Sequence, residues 1–301
     1  MNAGNTGDIM GTGNTGIIFQ KEEHGLRVSE STLRVSPDMK TRHYHETAEL
    51  FVLEEGERFF FVDRYVYHMK PMSAVLIPPG QIHKTSAVEK SPEHRRFLLQ
   101  YSGEEFDGII RSSFGAGYND FCLQYNGFVS FRREAWEEFL SAYRRLKNEF
   151  EKEEYFLPLV RQMAGEILAL YVRELLYVRG TEENGSEHPV ESGIYRSVHK
   201  VTAYLNDHYR EELTLNDLAE KFFISRSYLT RIFKETTGIT VVQYLTVVRI
   251  RQAARLLRET DSPITEIADL CGFGNVTYFE KVFHRIRGMT PRQYRMNNRG
   301  T

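Results

Sequence analysis

SRSYLTRIFKETTGITVVQY, Ser225 to Tyr244, and NVTYFEKVFHRIRGMTPRQY, Asn275 to Tyr294, lie fifty residues apart and match along their length. Tyr228 aligns with Tyr278, Leu229 with Phe279, Arg231 with Lys281, Phe233 with Phe283, Gly238 with Gly288, Thr240 with Thr290, and Tyr244 with Tyr294. Each copy follows a short segment containing Leu-Ala or Ile-Ala, LTLNDLAEKF and SPITEIADLCGF. Thr214 and Ser262 are the expected N-caps of those segments, the latter with Pro263 at the first helical position. Ser225 and Asn275 are expected to cap the second helix of each pair, and Gly238 and Gly288 to end it. A short helix, a tight turn and a capped second helix make a helix-turn-helix, so the chain carries two. Between them Thr240 and Gln243 form a capping-box pattern that opens a longer helix, TVVQYLTVVRIRQAARLLRET.

Two recognition helices on one rigid rod can enter successive major grooves on the same face of DNA, about one helical turn apart. Arg226, Ser227, Tyr228, Thr230 and Arg231 on the first, and Asn275, Val276, Thr277, Tyr278, Glu280 and Lys281 on the second, are placed to meet double-stranded DNA. Leu229, Ile232, Phe233, Phe279, Val282 and Phe283 are expected to face inward as core. A basic residue at the same slot of both copies favours DNA over a merely solvated face for Arg231 and Lys281, and the Glu280 carboxylate can either accept a bond from cytosine N4 or stay solvated and repel phosphate. Charge supports this. From Ile194 onward there are 17 Lys and Arg against 11 Asp and Glu, a net +6 in a chain whose total is −2, which leaves −8 for the rest. A basic third on an acidic body suggests a polyanion partner for that third alone.

The 301 residues have room for about two domains. No apolar run approaches the roughly 20 residues needed to cross a bilayer, and the N-terminus lacks a basic stretch followed by an apolar one, so a cytoplasmic protein without membrane partners is expected. Cys122 and Cys271, at no metal-like spacing, suit a reducing compartment. Residues 1–16, rich in Gly, Asn and Thr, are expected to be disordered. From 17 to 130 short β-branched and aromatic runs alternate with turn signals, as in an antiparallel barrel or sandwich. From 131 to 180 the period becomes helical: Trp136, Phe139, Tyr143, Leu146 and Phe150 form one seam. A second helix after Pro158 has two apolar stripes, which suits either a two-helix cap on the sandwich or a segment that dimerises with a second copy. TEENGSEHPVESG marks a linker over 181–193, and 194–297 is the double helix-turn-helix.

HYHETAELFVLEEG, from His43, raises a chemical question. On a strand His43, His45 and Glu49 share one face, and IPPGQIH puts His83 just past a Pro-Gly turn where a neighbouring strand can bring it close. Three imidazoles and one carboxylate suit a divalent transition metal such as Mn, Fe, Ni, Cu or Zn. The same groups, with Gln81, can instead hydrogen-bond an organic effector, and Arg42 and Arg58 can orient its polar groups. Tyr44, Phe51, Phe59, Phe61, Tyr65 and Tyr67 offer either stacking surface for a sugar ring or ordinary core. No acid, base or cofactor motif commits the chain to catalysis, so no enzyme and no required cofactor is expected.

Residues 194–297 resemble the AraC/XylS family of bacterial transcription regulators. The marks are LTLNDLA, SRSYLTRIFK, RIRQAARLL, ITEIADLCGF and YFEKVFHRIRGMTPRQYR. The resemblance implies DNA binding through both helix-turn-helix units, usually to activate transcription by contact with RNA polymerase. The pattern H-x-H-x3-E-x6-G ending at Gly56, then P-x-G-x2-H from Pro78 to His83, resembles the two motifs of the cupin barrel. That resemblance makes His43, His45, Glu49 and His83 the metal ligands, although Ala87 stands where the second motif usually has Asn. The expected fold is α+β: a cupin-like antiparallel barrel, a helical dimerisation segment, and an all-α domain with two helix-turn-helix units joined by a linker helix. The expected function is a homodimeric, effector-responsive activator, with a carbohydrate as the effector the family resemblance favours. The alternative is a metal-dependent cupin enzyme or metal sensor fused to a DNA-binding domain.

Overall fold

The computed structural model describes residues 15–34, 45, 47–88, 91, 93–181 and 193–298. The expected tail therefore lies almost wholly outside the described residues; Thr15 and Gly16 belong to the first strand. Strands β1 (Thr15–Glu23), β2 (Leu26–Arg34), β3 (Ala48–Glu55), β4 (Arg58–Val62), β5 (Tyr65–Met69), β6 (Ser73–Ile77), β7 (His83–Ala87) and β8 (Glu93–Tyr101) come first. Helices α1 (Gly103–Phe114) and α2 (Tyr118–Gln124) precede β9 (Gly127–Ser130), and α3 (Arg133–Glu151) and α4 (Leu157–Gly180) close the first half. The strands form two sheets with antiparallel pairing throughout, ordered β1-β2-β8-β3-β6-β9 and β5-β4-β7.

Alternation along the strands builds the layers. On β3, Ala48, Leu50 and Val52 face one core, which they share with Phe139, Leu146, Ile167, Leu168 and Tyr171 of α3 and α4. Phe51 and Leu53 face the other way, into the space between the sheets, with Phe60, Val62, Val75 and Ile77. The Phe-Phe-Phe run of β4 is buried on both faces: Phe60 points between the sheets, while Phe61 joins Val66 and Ile82 in a core shared with the C-terminal helices. Aromatics weighed as either sugar platform or ordinary core thus divide. Phe51 is barrel core and Tyr67 packs against it. Phe61 and, at its margin, Phe59 are interdomain core, and Tyr65 stacks on His199. Both apolar stripes of α4 are spent largely within the chain, leaving Leu159, Leu176 and Tyr177 as its exposed large hydrophobics.

The C-terminal half comprises α5 (Gly193–Asp207), α6 (Leu215–Lys221), α7 (Arg226–Thr237), α8 (Val241–Glu259), α9 (Ile264–Leu270), α10 (Val276–Arg287) and α11 (Pro291–Asn298). The local chemistry of the repeat is visible in the geometry. Ser225 and Asn275 accept bonds from the amides of Tyr228 (3.2 Å) and Tyr278 (2.9 Å), and Gly238 and Gly288 end α7 and α10 in the left-handed region. Thr240–Gln243 and Thr290–Gln293 pair reciprocally at the starts of α8 and α11. One detail differs: α9 starts at Ile264 with Pro263, not Ser262, in the cap position and no side-chain cap. The Ser262 carbonyl instead accepts from Arg295 Nη2 at 2.5 Å. Among the described residues no helix is long and apolar enough to cross a membrane, and both cysteines are buried free thiols.

His94 lies on β8 with neither ring nitrogen partnered among the described residues. Burial first, then the charges of Arg58 and Arg96, push its pKa down from 6.5 to about 3. The ring therefore stays neutral in the folded protein and takes up a proton on unfolding between those two values. Stability is then full above about 6.5 and falls as acid is added. At pH 5 the loss from this group is on the order of 2 kcal/mol. Thermal unfolding at pH 7.5 and pH 5.0 should show a larger acid-induced drop in Tm for wild type than for His94→Leu.

Candidate DNA-reading face and effector site

Helix α8 is shared by both helix-turn-helix units. Val241, Tyr244, Leu245, Val247 and Val248 pack in the first core with Leu229, Ile232 and Phe233 of α7. Ile250, Ala253, Ala254 and Leu257 pack in the second with Phe279, Val282 and Phe283 of α10. The two units repeat in detail: Phe233 meets Tyr244 edge-on at 5.5 Å, and Phe283 meets Tyr294 edge-on at 5.5 Å. Nineteen residues of α-helix span about 28 Å, comparable to one turn of DNA at roughly 34 Å.

All the inward positions expected from the sequence are buried, and the outward set is exposed or half-buried. Arg226, Ser227, Thr230 and Arg231 line the open side of α7, with Tyr228 half-buried against the core. Thr277, Tyr278, Glu280 and Lys281 do the same on α10, with Val276 half-buried. Asn275 is exposed, and its side-chain oxygen is engaged in the cap. The Arg231 guanidinium pairs with Glu235 one turn on, at 3.2 Å, and sits over the Tyr228 ring at 5.4 Å. An exposed pair of this kind is worth little, so exchanging it for DNA is easy. The sequence reading missed Phe223, which is 95% exposed at φ +55° two residues before the cap of α7. Its signal lay in the preceding helices, which align at an offset of 49, Ala219 with Ala268, and so set Phe223 against Gly272, the left-handed glycine of the second turn.

His45, Glu49 and His83 converge, Glu49 and His83 buried and His45 half-buried, with ligand atoms all within 4.8 Å of one another. His43, Arg42 and Tyr44 lie outside the described residues. His45 Nε2 is 3.0 Å from Glu49 Oε2, and its Nδ1 is 2.6 Å from the Thr47 carbonyl. His83 Nδ1 is 3.0 Å from the Gln81 carbonyl, and the two imidazoles meet edge-on at 5.2 Å. Gln81 is buried, and what it is seen to contribute is that backbone carbonyl. Gln100 of β8, which the sequence reading passed over, donates Nε2–H to Glu49 Oε2 at 2.6 Å. It stands directly opposite Glu49 in the register, so β-strand parity marks it once β3 and β8 are known to pair. Burial pushes the Glu49 carboxyl up. The hydrogen bond from His45 and the charges of His45, His83 and Arg96 more than offset that, holding it well below the usual carboxylate range.

Comparison with known proteins matches residues 36–160 to an AraC-like ligand binding domain and residues 218–297 to a helix-turn-helix domain. Among curated relatives, the HTH-type transcriptional activator RhaS of Shigella boydii is 25% identical over 270 residues, covering 86% of this chain and 88% of that protein. Among solved structures, the C-terminal domain of AraT, a response regulator from Geobacillus stearothermophilus, is 36% identical. That match covers 36% of this chain and 88% of the other, with a TM-score of 0.34. ToxT from Vibrio cholerae is 13% identical, with 92% and 99% coverage and a TM-score of 0.37.

Arg231→Ala and Lys281→Ala should each weaken binding to a duplex selected by the wild type from random DNA by on the order of 1–3 kcal/mol, with thermal stability unchanged. Fluorescence anisotropy at two salt concentrations checks this. A loss confined to the selected sequence marks a base contact, whereas a uniform loss with a shallower salt slope marks a phosphate contact.

Proposed function

The chain belongs to the AraC family of DNA-binding transcription regulators, and we propose that it activates transcription in response to a small polar molecule, of the carbohydrate class, held at His45, Glu49 and His83. One observation carries this reading: an ionised carboxylate, an amide and two imidazoles converge in an interior that also buries Arg58 and Arg96 beside Phe51 and Phe60. Such a set can donate to and accept from several hydroxyls at once, and Phe60 stacks parallel to the His83 ring at 6.2 Å as an apolar floor. Activation is favoured by the relatives named RhaS, which are described as transcriptional activators. Contact with RNA polymerase would deliver that activation in the cytoplasm. A homodimer would form over the outer face of α4, where Leu159, Leu176 and Tyr177 stand exposed.

A second reading, that the cluster holds a divalent transition metal, is favoured by the donor geometry. Each imidazole has Nδ1 against a backbone carbonyl, the arrangement common to metal-binding histidines, and His45 Nε2 faces the Glu49 carboxylate. His45, His83 and Glu49 would hold the ion, and its open coordination positions would receive oxygen atoms of the effector.

Elemental mass spectrometry on tag-free protein, beside His45→Ala/Glu49→Ala, separates the two. Near-stoichiometric metal lost in the variant supports the metal. A metal-free wild type that still binds DNA supports the organic pocket, and a panel of sugars should then raise the Tm of wild type and not of the variant. A variant that drives a reporter in step with wild type, whatever sugar is supplied, would remove the sensing role.

A further inference from the structure

The segment Pro78–Lys84 joins the polar cluster to the ends of both recognition helices. At its start the Gly80 amide donates to the His45 carbonyl at 2.7 Å. At its end His83 points into the cluster, and the next residue, Lys84, leaves the opposite face of β7. Lys84 Nζ donates to the Glu235 carbonyl in the last turn of α7, where helix carbonyls and the helix dipole favour a cation. Its stem crosses Gly238, the left-handed cap of α7, where an added Cβ would lie 3.3 Å from Lys84 Cδ. The second recognition helix is reached at Gly80. A Cβ there would lie 3.0 Å from Arg287 Nη1, so the last residue of α10 lies over the loop.

The same segment also reaches α8. The Ile82 carbonyl accepts from the amide of Asp63, which turns the chain between β4 and β5 at φ +57°. Asp63 takes Arg251 Nη1 on Oδ1 at 2.8 Å and the Tyr244 hydroxyl on its carbonyl at 2.6 Å. Arg251 Nη2 and the Tyr244 hydroxyl both bond to Asn206 of α5, at 2.7 and 2.8 Å. Burial pushes the Asp63 carboxyl up, but the guanidiniums of Arg251 and Arg64 outweigh it, so the acid stays ionised below its usual range.

We propose that Pro78–Lys84 positions the DNA-reading unit: what occupies the His45–Glu49–His83 cluster sets, through Lys84 on α7 and Gly80 on α10, how the two recognition helices meet successive grooves. This rests on the reading that the cluster is the effector site. A stiff strand cannot move His83 without moving Lys84, and the contacts lie at the C-terminal ends of α7 and α10, leaving the N-terminal turns open to DNA. The docked barrel therefore acts as a brace that holds two half-grips in register, and bracing raises affinity for a two-groove site without adding a DNA contact.

The test uses the full chain as wild type, Lys84→Met, Lys84→Arg and His83→Ala, with two duplexes selected by wild type: one carrying both groove segments and one cut to the segment read by α7. Lys84→Met should bind the long duplex roughly tenfold more weakly, an ordinary size for coupling between sites. The short duplex should be bound as by wild type, and Lys84→Arg should restore the long one. Hydrogen exchange at Thr236–Gly238 should quicken in Lys84→Met and, through the strand, in His83→Ala. Unchanged or tighter binding of the long duplex by Lys84→Met overturns the brace. Faster exchange in Lys84→Met with none in His83→Ala overturns the coupling to the cluster. Failure of the effector reading appears separately, as a reporter response to sugars in His83→Ala that equals wild type while the Lys84→Met defect persists.

Discussion

Helix α8 belongs to two hydrophobic cores at once, and the arrangement of the whole C-terminal half follows from that. Val241 to Val248 complete the core around α7, and Ile250 to Leu257 the core around α10. A helix anchored in a core at each end holds the two reading helices at about its own length, and only small curvature or rotation of the units about it remains to be set by other contacts. The barrel docks where the two cores meet. Tyr244 and Arg251 flank Val247 and Val248 on α8, and both are bonded to Asp63. The sensing domain thus touches the rod near its middle, where a small change in docking is felt by both units.

The electrostatics of the His45–Glu49–His83 cluster constrain what it can hold. His45 Nε2 faces the Glu49 carboxylate, while Nδ1 lies 2.6 Å from the Thr47 carbonyl and 3.2 Å from the Thr47 hydroxyl. The ring can therefore donate to Glu49 while Nδ1 accepts from the hydroxyl or donates to the carbonyl. Gln100 donates to the same carboxylate oxygen. A ligand that takes Glu49 from these two donors must bring hydroxyls or a cation of its own.

Legibility in the sequence followed the range of the interactions. The double helix-turn-helix was plain because caps, left-handed glycines and capping boxes act within four residues, and Ser225, Gly238, Thr240, Asn275 and Gly288 all do what their types dictate. Ser262 did not cap α9, since Pro263 took the cap position and the Ser262 carbonyl went to Arg295, a partner 33 residues away. At the polar cluster strand parity placed His45 and Glu49 together, and the Pro-Gly turn delivered His83. Gln100 escaped because its partner is set by pairing of β3 with β8, 51 residues apart, which no local pattern encodes. The same holds for Phe59, Phe61 and Tyr65. Their β-strand pattern was legible, but the helices they pack against lie more than a hundred positions downstream.

If the His45–Glu49–His83 cluster and the DNA-reading face are coupled, each must alter the other's affinity by one and the same factor. The most direct measurement is therefore the affinity of the full chain for Zn2+, as a probe of the His45–Glu49–His83 cluster, by titration calorimetry with and without saturating selected duplex. Coupling requires the two affinities to differ, by roughly 5-fold or more, and the difference to vanish in Lys84→Met. Equal Zn2+ affinities with and without DNA would contradict it.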